Sequence, residues 1–79
     1  MKIYIRSLDG RTTQIIVNES DTIGTGKQIY KKAAKEVSDN PQWKFNGTVL
    51  NDKKTFNDYE IEDEDNIISN DRSEGGKNK

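Results

Sequence analysis

The chain has 79 residues, of which 34% are charged and 29% hydrophobic, and 13 basic residues nearly balance 14 acidic ones. This is enough for one small domain, provided that nearly every apolar side chain joins a single core. The absence of His and Cys excludes disulfide scaffolds, thiol nucleophiles and His-based catalysis, so we expect no enzyme and no metal or cofactor site. No apolar run approaches the roughly 18 residues of a membrane span and no signal-peptide core is present, so we expect a cytoplasmic or nuclear protein.

The first element is a predicted β-hairpin. Apolar residues alternate at period two from Met1 to Ile5, which indicates a half-buried strand. Asp9-Gly10 is a strong hairpin signal, and the strand pattern resumes after it as far as Val17.

A helix is predicted next, from Ile23 to about Val37. Ser20-Asp21-Thr22 supplies N-cap chemistry before it, and Pro41 excludes helical backbone from the residue that precedes it. Apolar residues recur at spacings of three and four along this segment. They form the predicted core face of the helix: Ile29, Tyr30, Ala33, Ala34 and Val37.

The remaining pattern predicts short strands around one helical turn. Trp43 begins a strand that Asn46-Gly47 turns towards Leu50. Thr55 and Asp58 have capping-box spacing, with Asp in place of the usual Glu or Gln, which favours a helical turn.

A last strand is predicted around Ile67. Ser69 faces inward by alternation from Ile67, so we expect this strand to lose its packing after Ile68 and to fray one or two residues early. The element order predicts an α+β fold in which a mixed sheet packs on one main helix and the first and last strands pair in parallel at its centre.

A long ungapped register resembles ubiquitin and its relatives. It opens with Met-Lys-Ile-Tyr-Ile-Arg-Ser-Leu-Asp-Gly-Arg-Thr. Further matches are Val17, Ser20-Asp21-Thr22-Ile23, Lys27, Phe45, Gly47, Leu50, Asp52, Thr55, Asp58-Tyr59, Ile61, Glu64, Arg72 and Gly75-Gly76. The resemblance covers residues 1–76 and implies a β-grasp domain over residues 1–70, followed by a flexible tail over residues 71–79.

The tail carries the sharpest functional feature. In ubiquitin-like modifiers the terminal Gly pair is joined to lysines of target proteins, so the resemblance assigns conjugation to Gly75 and Gly76. Lys77-Asn78-Lys79 masks that carboxyl, which implies a precursor cut by a processing protease. Activating and conjugating enzymes would be the other partners, and Arg72 matches the arginine that the activating enzyme reads.

The resemblance also implies an interaction surface and a structural ion pair. Ubiquitin receptors grip a leucine, an isoleucine and a valine, and this chain has Leu8, Lys44 and Asn70 at those positions. Two polar replacements predict weak or no binding of standard ubiquitin receptors by what we expect to be a monomer. Lys27 and Asp52 stand where the family has a buried ion pair. Either residue without the other would be an uncompensated buried charge.

Two exchanges of size are expected in the core. Gly26 and Ser69 are small residues at positions where the family has core side chains. Three aromatic residues are larger than the family's aliphatic residues and would refill the core volume that the small residues leave. These aromatic residues are Tyr30, Trp43 and Phe56.

Alternative readings stay open. The Gly pair could be inherited but unused, in a non-covalent ubiquitin-like interaction domain. An RNA-binding domain with a basic tail ranks lower, because two lysines beside acidic residues give a weak electrostatic footprint. The acidic run from Glu60 to Asp65 is read as a solvated face, with a basic partner or a hard cation as alternatives.

Overall fold

The computed structural model describes residues 1–34 and 41–70, which form a five-stranded mixed sheet and one α-helix. The elements in chain order are β1 (Lys2–Ser7), β2 (Thr12–Ile16), α1 (Ile23–Ala33), β3 (Gln42–Phe45), β4 (Thr48–Val49), a 3-10 turn (Asn57–Tyr59) and β5 (Asn66–Asn70). Within the described residues, no helix combines the length and the apolar character needed to cross a membrane. The predicted α+β class is confirmed.

The sheet has the strand order β2-β1-β5-β3-β4. β1 and β5 pair in parallel at its centre, with Ile5 opposite Ile67, and the other neighbouring strands are antiparallel. The predicted central parallel pair is therefore confirmed. Because side chains alternate across a strand, this pairing places both isoleucines on the face that α1 covers.

The helix begins where the sequence predicts it and ends earlier. Thr22 is the N-cap, and its Oγ1 accepts a hydrogen bond of 3.2 Å from the Thr25 backbone N–H. The helix ends at Ala33, and Ala34 has extended backbone, so the predicted end near Val37 is wrong. Most helical stability comes from packing, and the last buried residue of α1 is Tyr30.

The buried face of α1 also differs from the predicted one. Ala33 is exposed and Ile29 only partly buried, while Val37 lies outside the described residues. The buried residues follow the helical repeat from the first turn: Ile23, Gly26, Lys27 and Tyr30. A glycine and a lysine on this stripe hid it from a search for apolar periodicity.

The predicted exchange of core volume takes place around Gly26. A Cβ added to this glycine would lie 2.6 Å from Phe56 Cζ and 3.3 Å from Trp43 Cζ3. Trp43 packs edge-on against Tyr30 with ring centroids 5.9 Å apart. All three aromatic rings are buried, and those of Phe56 and Trp43 fill the space that the glycine leaves.

Ser69 is packed, so the prediction that β5 loses its packing after Ile68 is wrong. Ser69 is fully buried and lies between Ser7 of β1 and Trp43 of β3. The strand continues to Asn70, which pairs with Gln42. A polar side chain does not end this strand, because the strand has a neighbour on each side to hold its backbone.

Two local turn predictions are confirmed. Gly10 has φ of +94° in the β1–β2 turn, a conformation that glycine adopts without strain. Thr55 and Asp58 form a reciprocal capping box, since the backbone N–H of each donates a hydrogen bond of 3.0 Å to the side-chain oxygen of the other. The Thr55 backbone N–H and hydroxyl, in that order, lower the pKa of the Asp58 carboxyl below its ordinary value.

We expect Gly26→Ala to destabilise the fold, although alanine favours a helix by about 1 kcal/mol over glycine. The added methyl would overlap Phe56, and overpacking costs typically 1–3 kcal/mol. Urea unfolding measures the change. Gly24→Ala is the matched control, because its methyl would come no closer than 3.3 Å to another atom and should cost less. A Gly26→Ala protein at least as stable as the unaltered one would contradict this account of the core.

Candidate protein-interaction face

The three predicted surface residues lie together on the side of the sheet away from α1. Leu8 follows β1, Lys44 lies on β3 and Asn70 ends β5. With Gln42 and Ile68 they line a shallow depression of about 90 Å³. The strand order explains the grouping, because β5 lies between β1 and β3 and brings the three elements side by side.

Ile68 also belongs to this face, a position that the sequence analysis did not assign to it. Its side chain is 43% exposed, and that of Leu8 is 55% exposed. The sequence did contain a signal for this position. Side chains alternate along a strand, so the residue that follows buried Ile67 points outward. The depression therefore keeps two aliphatic contacts beside its polar residues.

One row of outward side chains crosses the whole sheet through Ile68. Arg6 of β1 lies opposite Ile68, and Lys44 of β3 lies opposite it on the other side. Thr12 of β2 and Val49 of β4 extend the row to the two edges. Neither Arg6 nor Lys44 is in an ion pair with any residue of the ranges 1–34 and 41–70.

In the turn next to Leu8, the acidic side chain is paired with neighbouring residues of the same turn. Asp9 forms an ion pair of 2.9 Å with Arg11, and the Ser7 hydroxyl donates a hydrogen bond to the same carboxylate. The Ser7 hydrogen bond and then those from Arg11 lower the pKa of Asp9 to about 2. This acidic side chain is therefore already partnered within its own turn.

The predicted ion pair is present in the structure, but only one of its members is buried. Lys27 Nζ lies 2.6 Å from Asp52 Oδ1, with the lysine side chain 9% exposed and the aspartate side chain 47% exposed. The expected burial holds for Lys27 and not for Asp52, which lies in the loop before the capping box and keeps contact with water. The pair holds the first half of α1 against that loop.

The acidic run is partly used by the fold. The Asp63 carboxylate accepts the Lys2 backbone N–H at 2.6 Å, and that of Asp65 accepts the Glu62 N–H at 2.8 Å. Both contacts fix the loop that leads into β5, at the end of the strand remote from the depression. Within the described residues, no group of three or more acidic side chains is arranged to hold a metal ion.

The remaining predicted site residues lie in the tail. Arg72, Gly75 and Gly76 fall outside the described residues. The last described residue is Asn70, which lines the depression.

A mixed five-stranded sheet packed on one helix is consistent with a ubiquitin-like β-grasp domain. Domains of this class are generally non-enzymatic and act through contacts with other proteins. Residues 1–68 match the family described as Ubiquitin-2 like Rad60 SUMO-like. The chain belongs to this ubiquitin-like, SUMO-like family, which confirms the resemblance found in the sequence.

Replacing Asp52 by alanine should destabilise the domain by about 1–3 kcal/mol, since buried Lys27 loses its partner. The loss should be smaller than the roughly 3–5 kcal/mol that follows when one partner of a fully buried pair is removed, because the Asp52 side chain is half-exposed and remains partly solvated in the folded protein. Lys27→Met should cost less than Asp52→Ala, since it leaves no buried charge. Denaturant unfolding compares the variants, with Glu62→Ala as a control for the lost negative charge. An Asp52→Ala change below about 0.5 kcal/mol would mean that the pair acts as an exposed one.

We expect a standard ubiquitin-binding domain to bind the unaltered protein weakly or not at all. Lys44→Ile with Asn70→Val should partly restore binding, because each buried aliphatic anchor is worth on the order of 1.5–3 kcal/mol. Calorimetric titration of one such domain against both proteins measures the difference. Lys53→Ile with Asn66→Val is the matched control outside the depression and should not restore it. Tight binding by the unaltered protein would show that the two polar residues do not block receptors.

Proposed function

We propose that this protein is a ubiquitin-like modifier, made as a precursor, processed after Gly76 and conjugated through that glycine to lysine amines of target proteins. The observation that carries the proposal is the number of residues between the end of β5 and the Gly pair. β5 ends at Asn70, and Gly75-Gly76 follows five and six residues later. Six residues span at most about 20 Å, so the length suits presentation of a carboxyl beyond the domain surface.

The chemistry requires only the chain's own carboxyl and enzymes supplied by the cell. Water cleaves the Gly76–Lys77 amide in a processing protease and leaves a free glycine carboxylate. In an activating enzyme this carboxylate attacks the α-phosphate of ATP, which forms the acyl adenylate and releases pyrophosphate. An enzyme cysteine then displaces AMP to give a thioester. A target lysine amine then attacks the thioester and releases the thiol. The absence of side chains lets a Gly pair pass through narrow enzyme channels.

Burial of Lys27 bears on the kind of product. It is the one lysine of this chain that matches a lysine of ubiquitin. Its side chain is only 9% exposed and is bound to Asp52, so it is a poor acceptor. We propose attachment of single copies in the cytoplasm or nucleus. Exposed lysines outside the matched positions, such as Lys53 and Lys54, remain as acceptors for any polymer.

A non-covalent interaction domain is the second candidate. It is favoured by the extent of the family match, which ends at residue 68 and includes Leu8, Lys44 and Ile68 of the exposed face but not the Gly pair. In this alternative the protein would bind partners through that face, and Gly76 would have no chemical role.

Incubation of the full chain in a lysate of the source organism should give a product that ends at Gly76. Loss of Lys77 and Lys79 would change the net charge from −1 to −3, so intact mass and ion exchange both detect processing. With the tagged protein expressed in the same cells, adducts of higher mass should appear and should vanish in Gly76→Ala. Ser73→Ala is the matched tail control and should keep them.

Persistence of the 79-residue species together with an absence of adducts would favour the non-covalent domain. Adducts that survive in Gly76→Ala would exclude conjugation through this glycine.

A further inference from the structure

Asn46 and Gly47 form the turn between β3 and β4. Phe45 pairs with Thr48 across this turn, and Asn46 and Gly47 have left-handed backbone with φ of +53° and +80°. Tight hairpin turns of this kind favour the sequence Asn-Gly. Both turn residues are exposed, and a Cβ added to Gly47 would meet no atom within 4 Å. The dipeptide is therefore open to water on a side of the molecule that no other element covers.

The sequence Asn-Gly has a chemical reactivity of its own. The main-chain nitrogen of the glycine can attack the side-chain carbonyl carbon of the asparagine, and glycine has no side chain to hinder the approach. Asparagine is for this reason among the residues that limit the chemical lifetime of proteins. Asn46 is the only asparagine of the chain that a glycine follows.

Both reacting groups of this turn are free in the folded domain. Within residues 1–34 and 41–70, neither the side-chain amide of Asn46 nor the N–H of Gly47 takes part in a hydrogen bond. β4 comprises only Thr48 and Val49, both exposed, at the edge of the sheet. The rotation that brings the Gly47 nitrogen onto the Asn46 carbonyl carbon therefore disturbs only this short pairing, and short exposed elements open at low free energy.

The first hairpin carries the related dipeptide Asp9-Gly10, but there both groups are engaged. The Asp9 carboxylate accepts hydrogen bonds from the Ser7 hydroxyl and the Arg11 backbone N–H. The Gly10 N–H donates a hydrogen bond of 3.1 Å to the Ser7 carbonyl oxygen. The two hairpins of this domain thus differ in whether the nitrogen and the carbonyl carbon can meet.

We propose that Asn46 is a site of spontaneous deamidation in the folded protein, which converts it to isoaspartate or aspartate. The Gly47 nitrogen forms a bond to Asn46 Cγ, and the side-chain nitrogen leaves as ammonia together with the proton of the Gly47 N–H. Water then adds to one of the two carbonyl carbons of the resulting succinimide and breaks the bond of that carbon to the ring nitrogen. Opening at the main-chain carbonyl gives isoaspartate, and opening at the side-chain carbonyl gives aspartate. Either product changes the net charge from −1 to −2.

Isoaspartate would alter the edge of the sheet and leave the core in place. Its main chain runs through Cβ, so the tight turn gains a methylene group and loses the geometry that pairs β3 with β4. Lys44 pairs with Val49 across that edge, so a residue of the candidate interaction face would lose its neighbour. Beyond the turn, the Leu50 N–H donates a hydrogen bond of 2.8 Å to the Trp43 carbonyl oxygen, and both side chains are buried. The reaction needs only the folded domain, so it stands or falls separately from conjugation through Gly76.

The full 79-residue chain is incubated in mildly alkaline buffer, with and without urea. Peptide mass spectrometry measures, at each asparagine, the gain in mass when an NH group is replaced by oxygen. An isoaspartyl methyltransferase with labelled S-adenosylmethionine measures the share of isoaspartate. We expect Asn46 to be modified before the other asparagines, and faster as the pH is raised, because the attacking nitrogen gives up its proton. Asn46→Gln should stay unmodified over the same period, since its longer side chain would have to close a larger ring.

Asp9→Asn is the matched control, because it places the same dipeptide in the first hairpin. The amide oxygen of the new side chain can still accept from Ser7 and Arg11, and the Gly10 N–H keeps its acceptor. In the folded variant we expect modification at position 9 to be about tenfold slower than at Asn46 or slower still. In urea the two positions should react at similar rates, since the structural difference between the hairpins is then lost.

Two results would overturn the proposal, when amide spectra show that the proteins are folded. One is an Asn46 that stays intact in the folded chain while the chain in urea is modified, which would mean that the hairpin protects it. The other is an equal rate at positions 9 and 46 of the folded Asp9→Asn protein, which would mean that the free groups of the second turn do not matter.

Discussion

The parallel pairing of β1 with β5 is the constraint on which the rest of the molecule depends. It joins residues about sixty positions apart, such as Ile5 and Ile67, and so closes most of the chain into one loop. Its register decides which side chains of both strands face α1 and which face solvent. A shift by one residue would bury Ile68 and expose Ile67, and the core and the interaction face would be lost together.

The core around α1 shows how a SUMO-like domain accommodates an unusual helix. Gly26 and Lys27 occupy two of the four buried positions of α1, where apolar side chains would be expected. Phe56 and Trp43 fill the space above the glycine, and Asp52 neutralises the lysine. Both compensations come from the chain after the helix, so α1 and residues 43–56 depend on each other.

Strand alternation and turn chemistry predicted most of the fold, because both are local properties of the sequence. The hairpin at Gly10 and the capping box at Asp58 needed no knowledge of distant residues. The errors at Ser69 and at the end of α1 have a common cause. Whether a polar residue is tolerated, or a helix continues, depends on which distant element packs there. Strand alternation from Ile67 already indicated that Ile68 points outward, but only the strand order shows which residues lie beside it.

The position of Trp43 gives the molecule a selective optical property. It is the chain's single tryptophan, fully buried on the helix side of β3, and its Nε1–H has no hydrogen-bond partner among residues 1–34 and 41–70. Its neighbour Lys44 points to the opposite side of the same strand. Intrinsic fluorescence should therefore report the opening of the core while staying nearly silent when a partner covers the outer face. Folding and recognition can thus be followed as separate signals in one unlabelled sample.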